Sequence, residues 1–333
     1  MSIEETRAQP IGNSLAAADT AVSDPRAAAT LSPAAQRRLA PEDMTWRVRM
    51  RKFNRRFFKG NPLNLLGVAI IVVFLILTAF GQQIAESRGA IYSPTAPNIH
   101  ARLQGPSTAH WFGTDDLGRD VFSRVLSGAK YSLGVAAIIL VIAVTTGVFI
   151  GAVACYFGGI VDELLMRLTD MFLAFPALIL AIAISASLGP SLRNAVIALS
   201  TVFWPWYARL VRGQVLTIKS RDFVEAARSV GVGGGRLLVR HIMPSAISVI
   251  VIQMTLDVGY AVLATSSLSF IGLGAQPPSP EWGTMISGAR NFFRDAWWYI
   301  TFPGLALTIT VLGFNLVGDG LRDYFDPRTV SGE

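Results

Sequence analysis

One uncharged stretch, residues 132–156, decides the class of fold, and it reads SLGVAAIILVIAVTTGVFIGAVACY. A helix that crosses a hydrocarbon core of about 30 Å needs about 20 residues, because each residue adds about 1.5 Å of length. This stretch therefore predicts a transmembrane helix. Five more apolar windows meet the same criterion, at residues 63–80, 164–188, 195–211, 246–272 and 297–317. Together they predict an all-α integral membrane protein with six transmembrane helices.

The composition supports lipid as the solvent. Only 15% of the residues are charged and 52% are hydrophobic, whereas about 25% of residues are charged in soluble domains. The net charge of +7 could indicate a nucleic-acid partner, but in a membrane protein an excess of Lys and Arg marks cytoplasmic loops. We therefore expect no nucleic acid. Cys155 is the single cysteine, which excludes disulfides within the chain.

The N-terminal part is polar or basic. Residues 1–43 are rich in Ala, Ser, Pro and Gln and predict a disordered cytoplasmic tail. Residues 44–60 interleave aromatic and basic side chains, which favours an amphipathic juxtamembrane helix on an anionic membrane surface. A plain basic flank is the alternative. Both interpretations place this end in the cytoplasm.

The distribution of basic residues predicts the orientation of the remaining segments. With the N-terminus inside, the loop at residues 212–245 is cytoplasmic and is dense in Arg and Lys, whereas the loop at 83–129 is external and more sparsely basic. Both observations favour an N-in, C-in topology. In the second helix, Gly147 and Gly151 form a small-xxx-small pair, which predicts close approach of a neighbouring helix.

The cytoplasmic loop contains one short segment with helix signals at both ends, DFVEAARSVG at residues 222–231. Asp222 is predicted to be its N-cap, Glu225 to complete a capping box, and Gly231 to take the left-handed position after the last turn. Such a short helix is marginal in water without tertiary contacts. Its apolar residues therefore predict docking, either on the protein's own helices or on a partner outside the bilayer; they are Phe223, Val224, Ala227 and Val230.

This loop resembles the EAA motif of ABC importer permeases, in which a short helix sits in a groove of an ATPase subunit. The resemblance is carried by Glu225-Ala226-Ala227, then Gly231, then His241-Ile242-Met243-Pro244. The chain departs from the usual pattern with Met243 before the proline and with three consecutive glycines at residues 233–235. The resemblance implies a set of ATPase-coupling residues, namely Asp222, Phe223, Glu225, Ala226, Ala227, Gly231, His241 and Pro244.

Three further segments, at residues 112–120, 269–283 and 314–328, resemble the dipeptide and oligopeptide importer permeases, specifically the second of their two permease subunits. That family implies a type I importer fold in a bacterial inner membrane. It also implies a second homologous permease subunit, two ATPase subunits that bind ATP and Mg²⁺, an external substrate-binding protein, and a peptide substrate. Related permeases import glutathione or a nickel chelate, and these cargoes are the alternatives.

The resemblance also sets the expected domain boundaries. They are a first transmembrane helix at 61–82, a periplasmic loop at 83–129, a type 1 core at 130–319 with its coupling loop at 212–245, and a cytoplasmic tail at 320–333. The periplasmic segment carries a motif that could contact a substrate-delivery protein or cap a short helix beginning near Asp116. Its residues are Gly113, Thr114, Asp115, Gly118, Arg119 and Asp120.

Polar residues inside the apolar windows are the remaining candidates. Asp257 lies near the middle of the fifth window, where an ionised carboxylate costs about 2.5 to 3.5 kcal/mol. With Gln253 it is assigned to the translocation path, and a structural hydrogen bond to a neighbouring helix is the alternative. Arg167 and Asp170, three residues apart, are expected to pair on one face of the third helix.

Several classes of function are not favoured by the sequence. It has no G-x-x-x-x-G-K-[ST] loop, so the chain itself is not expected to bind ATP or any other cofactor. The three histidines are dispersed and predict no metal site, and no spacing favours a catalytic group. An ion-driven carrier, the rival transporter class, is expected to show repeats and several intramembrane ionisable groups. A polytopic membrane enzyme is the third hypothesis.

Overall fold

The computed structural model describes residues 57, 61–87, 89 and 92–325, and the helices are the regular elements of this part. The predicted tail at 1–43, almost all of the juxtamembrane segment 44–60 and the last residues of the C-terminal tail lie outside it. The helices are α1 Pro62–Ser87, α2 Val121–Phe157, α3 Gly159–Leu173, α4 Ala177–Leu188, α5 Leu192–Lys219, α6 Asp222–Ser229, α7 Gly234–Leu237, α8 Met243–Phe270, α9 Trp282–Ala289 and α10 Trp297–Phe325. A π-helical segment, Leu238–Ile242, joins α7 to α8.

Within the described residues, four continuous helical stretches are long and apolar enough to cross a membrane: α1, α2, α10 and the run from α7 through α8. The pair α3 and α4 makes a fifth span if it is counted as one. Helix α5 is 28 residues long, enough to cross, but it is less apolar and contains Pro205. The chain thus crosses the membrane several times, and the count of six and the N-in, C-in topology stay predictions.

The third predicted helix is broken. Residues 164–188 were expected to form one span, but α3 and α4 meet at a bend of 86°. Pro176 is the N-cap of α4, and a proline has no N–H to continue the hydrogen bonds of α3. The expected pair of Arg167 and Asp170 is also wrong, because Arg167 contacts Glu163 and Asp170 contacts Arg209 of α5.

Helices α2 and α5 pack closely at the two glycines that the sequence singled out. A Cβ atom on Gly147 would lie 2.5 Å from Tyr207 Cβ, and one on Gly151 would lie 2.6 Å from the Ala208 carbonyl oxygen. Real Cβ atoms do not come so near to other heavy atoms. The predicted close approach at this glycine pair is therefore confirmed, and its partner helix is α5.

Candidate functional site

Helix α6 docks on its own bundle through one side. Val224 has no exposed surface and packs in an apolar cluster formed by the ends of α2, α5 and α8 and by the segment between α7 and α8. Ala227 packs against the edge of the same cluster. A helix of eight residues needs such tertiary contacts to persist. The alternative of docking on its own helices is thus observed for this side.

The other side of α6 remains open. Phe223 is 43% exposed and Val230 is 80% exposed, and Glu225 and Ala226 are exposed as well. We call these four residues the outer face of α6. Exposed apolar side chains such as those of Phe223 and Val230 form a surface that a partner could cover, so packing on the bundle leaves room for a second contact.

The ends of α6 differ in how well the sequence predicted them. Arg221, not Asp222, is the N-cap, and no side chain caps this end. The prediction of an Asp222 N-cap with a capping box is therefore wrong, because the Arg221 carbonyl already accepts the N–H of Val224 over 2.9 Å. Asp222 and Glu225 instead lie in the first turn, where negative charge favours the helix dipole.

At the C-terminal end, the predicted left-handed glycine is confirmed. Gly231 has φ +83°, and its N–H donates to Arg228 O over 2.9 Å while the N–H of Val232 donates to Ala227 O over 3.1 Å. These two bonds are the Schellman arrangement that ends a helix. The chain then turns through residues 233–235, where none of the glycines meets an obstacle closer than 3.7 Å.

The two remaining coupling candidates lie where the chain leaves this turn. His241 belongs to the π-helical segment and is half-buried. Pro244 is the second residue of α8 and lies two residues after Ile242, where the π-helical segment ends. Both residues therefore lie at the junction between α6 and the long helix α8.

The intramembrane carboxylate joins two helices. Asp257 Oδ2 accepts a hydrogen bond from the Tyr207 hydroxyl of α5 over 2.6 Å, and Asp257 Oδ1 accepts one from Gln253 Nε2 over 3.0 Å. Asp257 and Gln253 are half-buried, and Tyr207 is buried. The structural alternative, a hydrogen bond to a neighbouring helix, is thus observed. The assignment of Asp257 and Gln253 to a translocation path stays a prediction.

The motif at residues 113–120 folds into a buried corner before α2. The carboxylate of Asp115 accepts hydrogen bonds from the N–H groups of Leu117 and Arg119, both over 2.9 Å, and from Arg119 Nε over 2.7 Å. Thr114, Asp115 and Arg119 are all buried. Buried charges are stable only when they are paired and hydrogen-bonded, so this pair stabilises the fold of the segment.

Asp120 caps α2. Its Oδ2 accepts hydrogen bonds from the N–H and hydroxyl of Ser123 over 2.9 and 2.8 Å, and its Oδ1 lies 2.9 Å from His110 Nδ1. The capping interpretation of the motif is thus observed, but the helix begins at Val121 and not near Asp116. Delivery-protein contact stays untested.

The backbone conformation requires glycine at two positions of the motif. Gly113 and Gly118 have φ +69° and +71°, a region that side chains rarely adopt. A Cβ atom on Gly118 would lie 1.7 Å from the Asn98 carbonyl oxygen. Gly113 and Gly118 therefore serve the turn itself.

Comparison with known proteins identifies the family of this chain. Residues 143–331, more than half of the chain, match the family described as the binding-protein-dependent transport system inner membrane component. The dipeptide transport system permease protein DppC of Alkalihalophilus pseudofirmus is 43% identical over 87% of this chain and 94% of its own length. The chain belongs to this family of permeases.

Two further comparisons concern a relative with a different cargo and a solved structure. The glutathione transport system permease protein GsiD of Escherichia coli O6:K15:H31 is 43% identical over 82% of this permease and 89% of its own length. Among solved structures, a chain of the MetNI methionine ABC transporter in an inward-facing crystal form matches with a TM-score of 0.50 and 18% identity, over 61% of this permease and 96% of that chain. That likeness shows that the fold is shared with a permease of an ABC transporter.

Sequence reasoning missed two buried charges of this permease. Glu281 is the N-cap of α9, has no exposed surface, and accepts hydrogen bonds from Ser132, Ser266 and Thr284. Arg124 is buried at the start of α2, and its guanidinium donates to Pro94 O. Glutamate is not among the residue types that predict an N-cap, so the sequence did not indicate this role of Glu281.

Proposed function

We propose that this permease is the transmembrane subunit of an ABC importer for dipeptides or short peptides in a bacterial inner membrane. It forms half of the path together with a second homologous permease, above two ATPase subunits that bind ATP and Mg²⁺ and below an external substrate-binding protein. The observation that carries the proposal is the outer face of α6, an exposed apolar surface on a helix whose opposite side is fixed to the bundle.

Helix α6 lies between two long helices, and this connection supports a coupling role. It follows α5 after Ser220 and Arg221, and it leads through the π-helical segment into α8. Val224 packs with Val215 and Ile250 in one apolar cluster. A partner that pulls on the outer face would therefore move the ends of α5 and α8. An effector shifts a two-state equilibrium only through a difference in its contacts with the two states, so the proposal requires the ATPase subunits to contact the outer face differently in each state.

Glutathione is the second candidate cargo. The curated glutathione and dipeptide permeases are equally similar to this chain, at 43% identity each. Uptake of a labelled dipeptide by the reconstituted complex, with competition by unlabelled dipeptide or glutathione, distinguishes the two cargoes. We expect the dipeptide to compete more strongly. Stronger competition by glutathione would identify glutathione as the cargo.

The coupling proposal is tested on the complete complex in proteoliposomes. Phe223→Ala and Glu225→Ala remove two contacts of the outer face without touching the buried side of α6. We expect both to reduce peptide uptake and substrate-stimulated ATPase activity while the permease pair still assembles. Leu75→Ala is the matched control, because Leu75 is 54% exposed on α1 and far from α6 in sequence.

Two results would contradict this function. Unchanged uptake and ATPase stimulation in both α6 variants would remove the coupling role of the outer face. Solute transport by the purified permease in vesicles without any ATPase subunit would exclude an ATP-driven importer altogether.

A further inference from the structure

We propose that Asp257 binds the ammonium group of the substrate within the membrane, at a site completed by the exposed ring of Tyr260. This inference rests on the proposed function, and it adds the part of the substrate that the membrane domain recognises. Dipeptides and glutathione both carry a free amino group, so the site serves either cargo.

The position of Asp257 makes an ionised carboxylate energetically unfavourable. It is residue 15 of the 28 residues of α8, which places it about 20 Å along the helix from either end at 1.5 Å per residue. A carboxylate at this depth costs about 2.5 to 3.5 kcal/mol when it meets lipid. Since Asp257 is only half-buried in the chain, its open side must meet water, another subunit or a ligand.

The neighbours of Asp257 leave its charge uncompensated. Both carboxylate oxygens accept hydrogen bonds, from Tyr207 and Gln253, so neither oxygen needs a proton of its own to be satisfied. Both donors are neutral. Among residues 92–325 and the described parts of α1, no Lys, Arg or His forms an ion pair with Asp257.

A structural hydrogen bond alone does not explain a charge at this position. An asparagine at residue 257 could accept the hydrogen bond from the Tyr207 hydroxyl without the cost of a buried charge. The interhelical bond therefore accounts for a polar group at residue 257 but not for a carboxyl group in particular. A cationic group of the substrate that binds there accounts for the carboxyl group.

The surroundings fit an ammonium group. Tyr260 lies on the same face of α8 as Gln253 and Asp257, since residues at i, i+4 and i+7 share one face. Its ring is 50% exposed and is held by stacking on Phe203, with 5.4 Å between ring centroids and 22° between planes. A carboxylate next to an aromatic face attracts cations by charge and by cation–π contact.

The test separates charge from hydrogen bonding in the reconstituted importer. Asp257→Asn keeps an acceptor for Tyr207 and removes the charge, whereas Tyr207→Phe removes the interhelical bond and keeps the charge. We expect Asp257→Asn to lower kcat/KM for uptake of an unmodified dipeptide by about tenfold or more, and Tyr207→Phe to lower it less. Asp257→Glu, which restores the charge, should recover part of the loss.

A second readout addresses the ammonium group directly. The uptake ratio of a dipeptide to its N-acetylated form is measured in the wild type and in Asp257→Asn with the same binding protein. Selection by that protein cancels in the comparison, so a smaller ratio in Asp257→Asn supports recognition by Asp257. This readout does not change if residue 257 is only structural.

The outcomes are distinct from those of the proposed function. If wild-type vesicles show no ATP-dependent peptide uptake, the proposed function fails first. If the wild type transports and Asp257→Asn stays within about twofold, or if Tyr207→Phe loses as much as Asp257→Asn, the ammonium site is overturned alone. Should Asp257→Asn fail to assemble, Tyr260→Ala, which removes the aromatic part of the site, is measured instead, and an unchanged uptake ratio of the dipeptide to its N-acetylated form overturns the site.

Discussion

Arg119 Nε lies 2.7 Å from Asp115 Oδ2, and neither side chain has more than 6% of its surface exposed. The same carboxylate also accepts two backbone N–H groups of the turn that carries Arg119. The pair therefore stabilises the turn before α2. Contact of this segment with a delivery protein stays a prediction, and Asp115 and Arg119 are too buried to take part in it directly.

The first prediction follows from this buried pair. Asp115→Asn leaves the buried Arg119 guanidinium without its closest carboxylate, with only Asp116 at 3.9 Å remaining, and breaking a buried ion pair costs about 3 to 5 kcal/mol. We expect a lower unfolding temperature of the purified complex and a lower amount of it in the membrane. Asp295→Asn, at an exposed carboxylate, should leave both unchanged. Equal behaviour of the two variants would show that Asp115 is not structural.

Gly118 provides the second prediction. Gly118→Ala places a methyl group 1.7 Å from the Asn98 carbonyl oxygen at a residue with φ +71°. Both the contact and the backbone conformation oppose the substitution, so we expect the variant to lose stability by more than 1 kcal/mol, about the cost of strain alone. Thermal unfolding in detergent measures this. In Gly304→Ala the added methyl meets open space, and that variant should unfold at the wild-type temperature or slightly above it.

The third prediction concerns the contact between α2 and α5. Gly147→Ala should push the two helices apart, because the new methyl would lie 2.6 Å from the Trp204 carbonyl oxygen. Helix pairs in membranes depend on this close packing for their stability. The matched control is Gly134→Ala in the same helix, where a Cβ atom meets nothing within 4 Å. A stable Gly147→Ala with an unstable Gly134→Ala would mean that the α2 and α5 contact is wrongly placed.

The fourth prediction is that substitutions at two neighbouring residues of α6 have different effects on stability and on ATPase stimulation. Val224→Ala removes fully buried apolar surface and should destabilise the permease by about 2 kcal/mol. Phe223→Ala removes a half-exposed ring and should leave the unfolding temperature near that of the wild type while it lowers ATPase stimulation. Unfolding and ATPase assays on both variants check this. Loss of stability in Phe223→Ala would show that the outer face is part of the permease core.

The fifth prediction tests the topology. In a Cys155→Ala background, single cysteines at Gln276 and Val230, both exposed, should react with a membrane-impermeant maleimide on opposite sides. We expect Gln276→Cys to react in intact cells and Val230→Cys only in inside-out vesicles. The reverse pattern would invert the N-in, C-in arrangement, and labelling of both from one side would change the number of spans.

Much of the fold could be predicted because lipid imposes a simple rule on composition. A span needs length and apolar side chains, and both are visible in residues 132–156 without knowledge of any contact. The left-handed Gly231 was predictable for a similar reason, since its conformation is a local property of the backbone. The same holds for the close-packing glycines of α2.

The errors arose where distant residues compete with local signals. Asp222 is a good N-cap by type, but helix α6 begins one residue earlier, and its position is set by the burial of Val224. Arg167 and Asp170 are three residues apart, a spacing that allows an ion pair on one helix, yet Asp170 pairs with Arg209 of the neighbouring helix α5. Spacing along one helix does not indicate which neighbouring helix lies opposite.

Composition and motifs alone predicted a membrane protein, a polar helix between its spans, and a resemblance to importer permeases. The three-dimensional contacts were needed to learn which side of α6 is covered, that Asp115 and Asp120 are buried, and that the hydrogen-bond partners of Asp257 are neutral. The physical reason is that composition and local backbone preferences act within a few residues, whereas burial and charge pairing depend on residues that are distant in the chain, such as Tyr207 and Asp257.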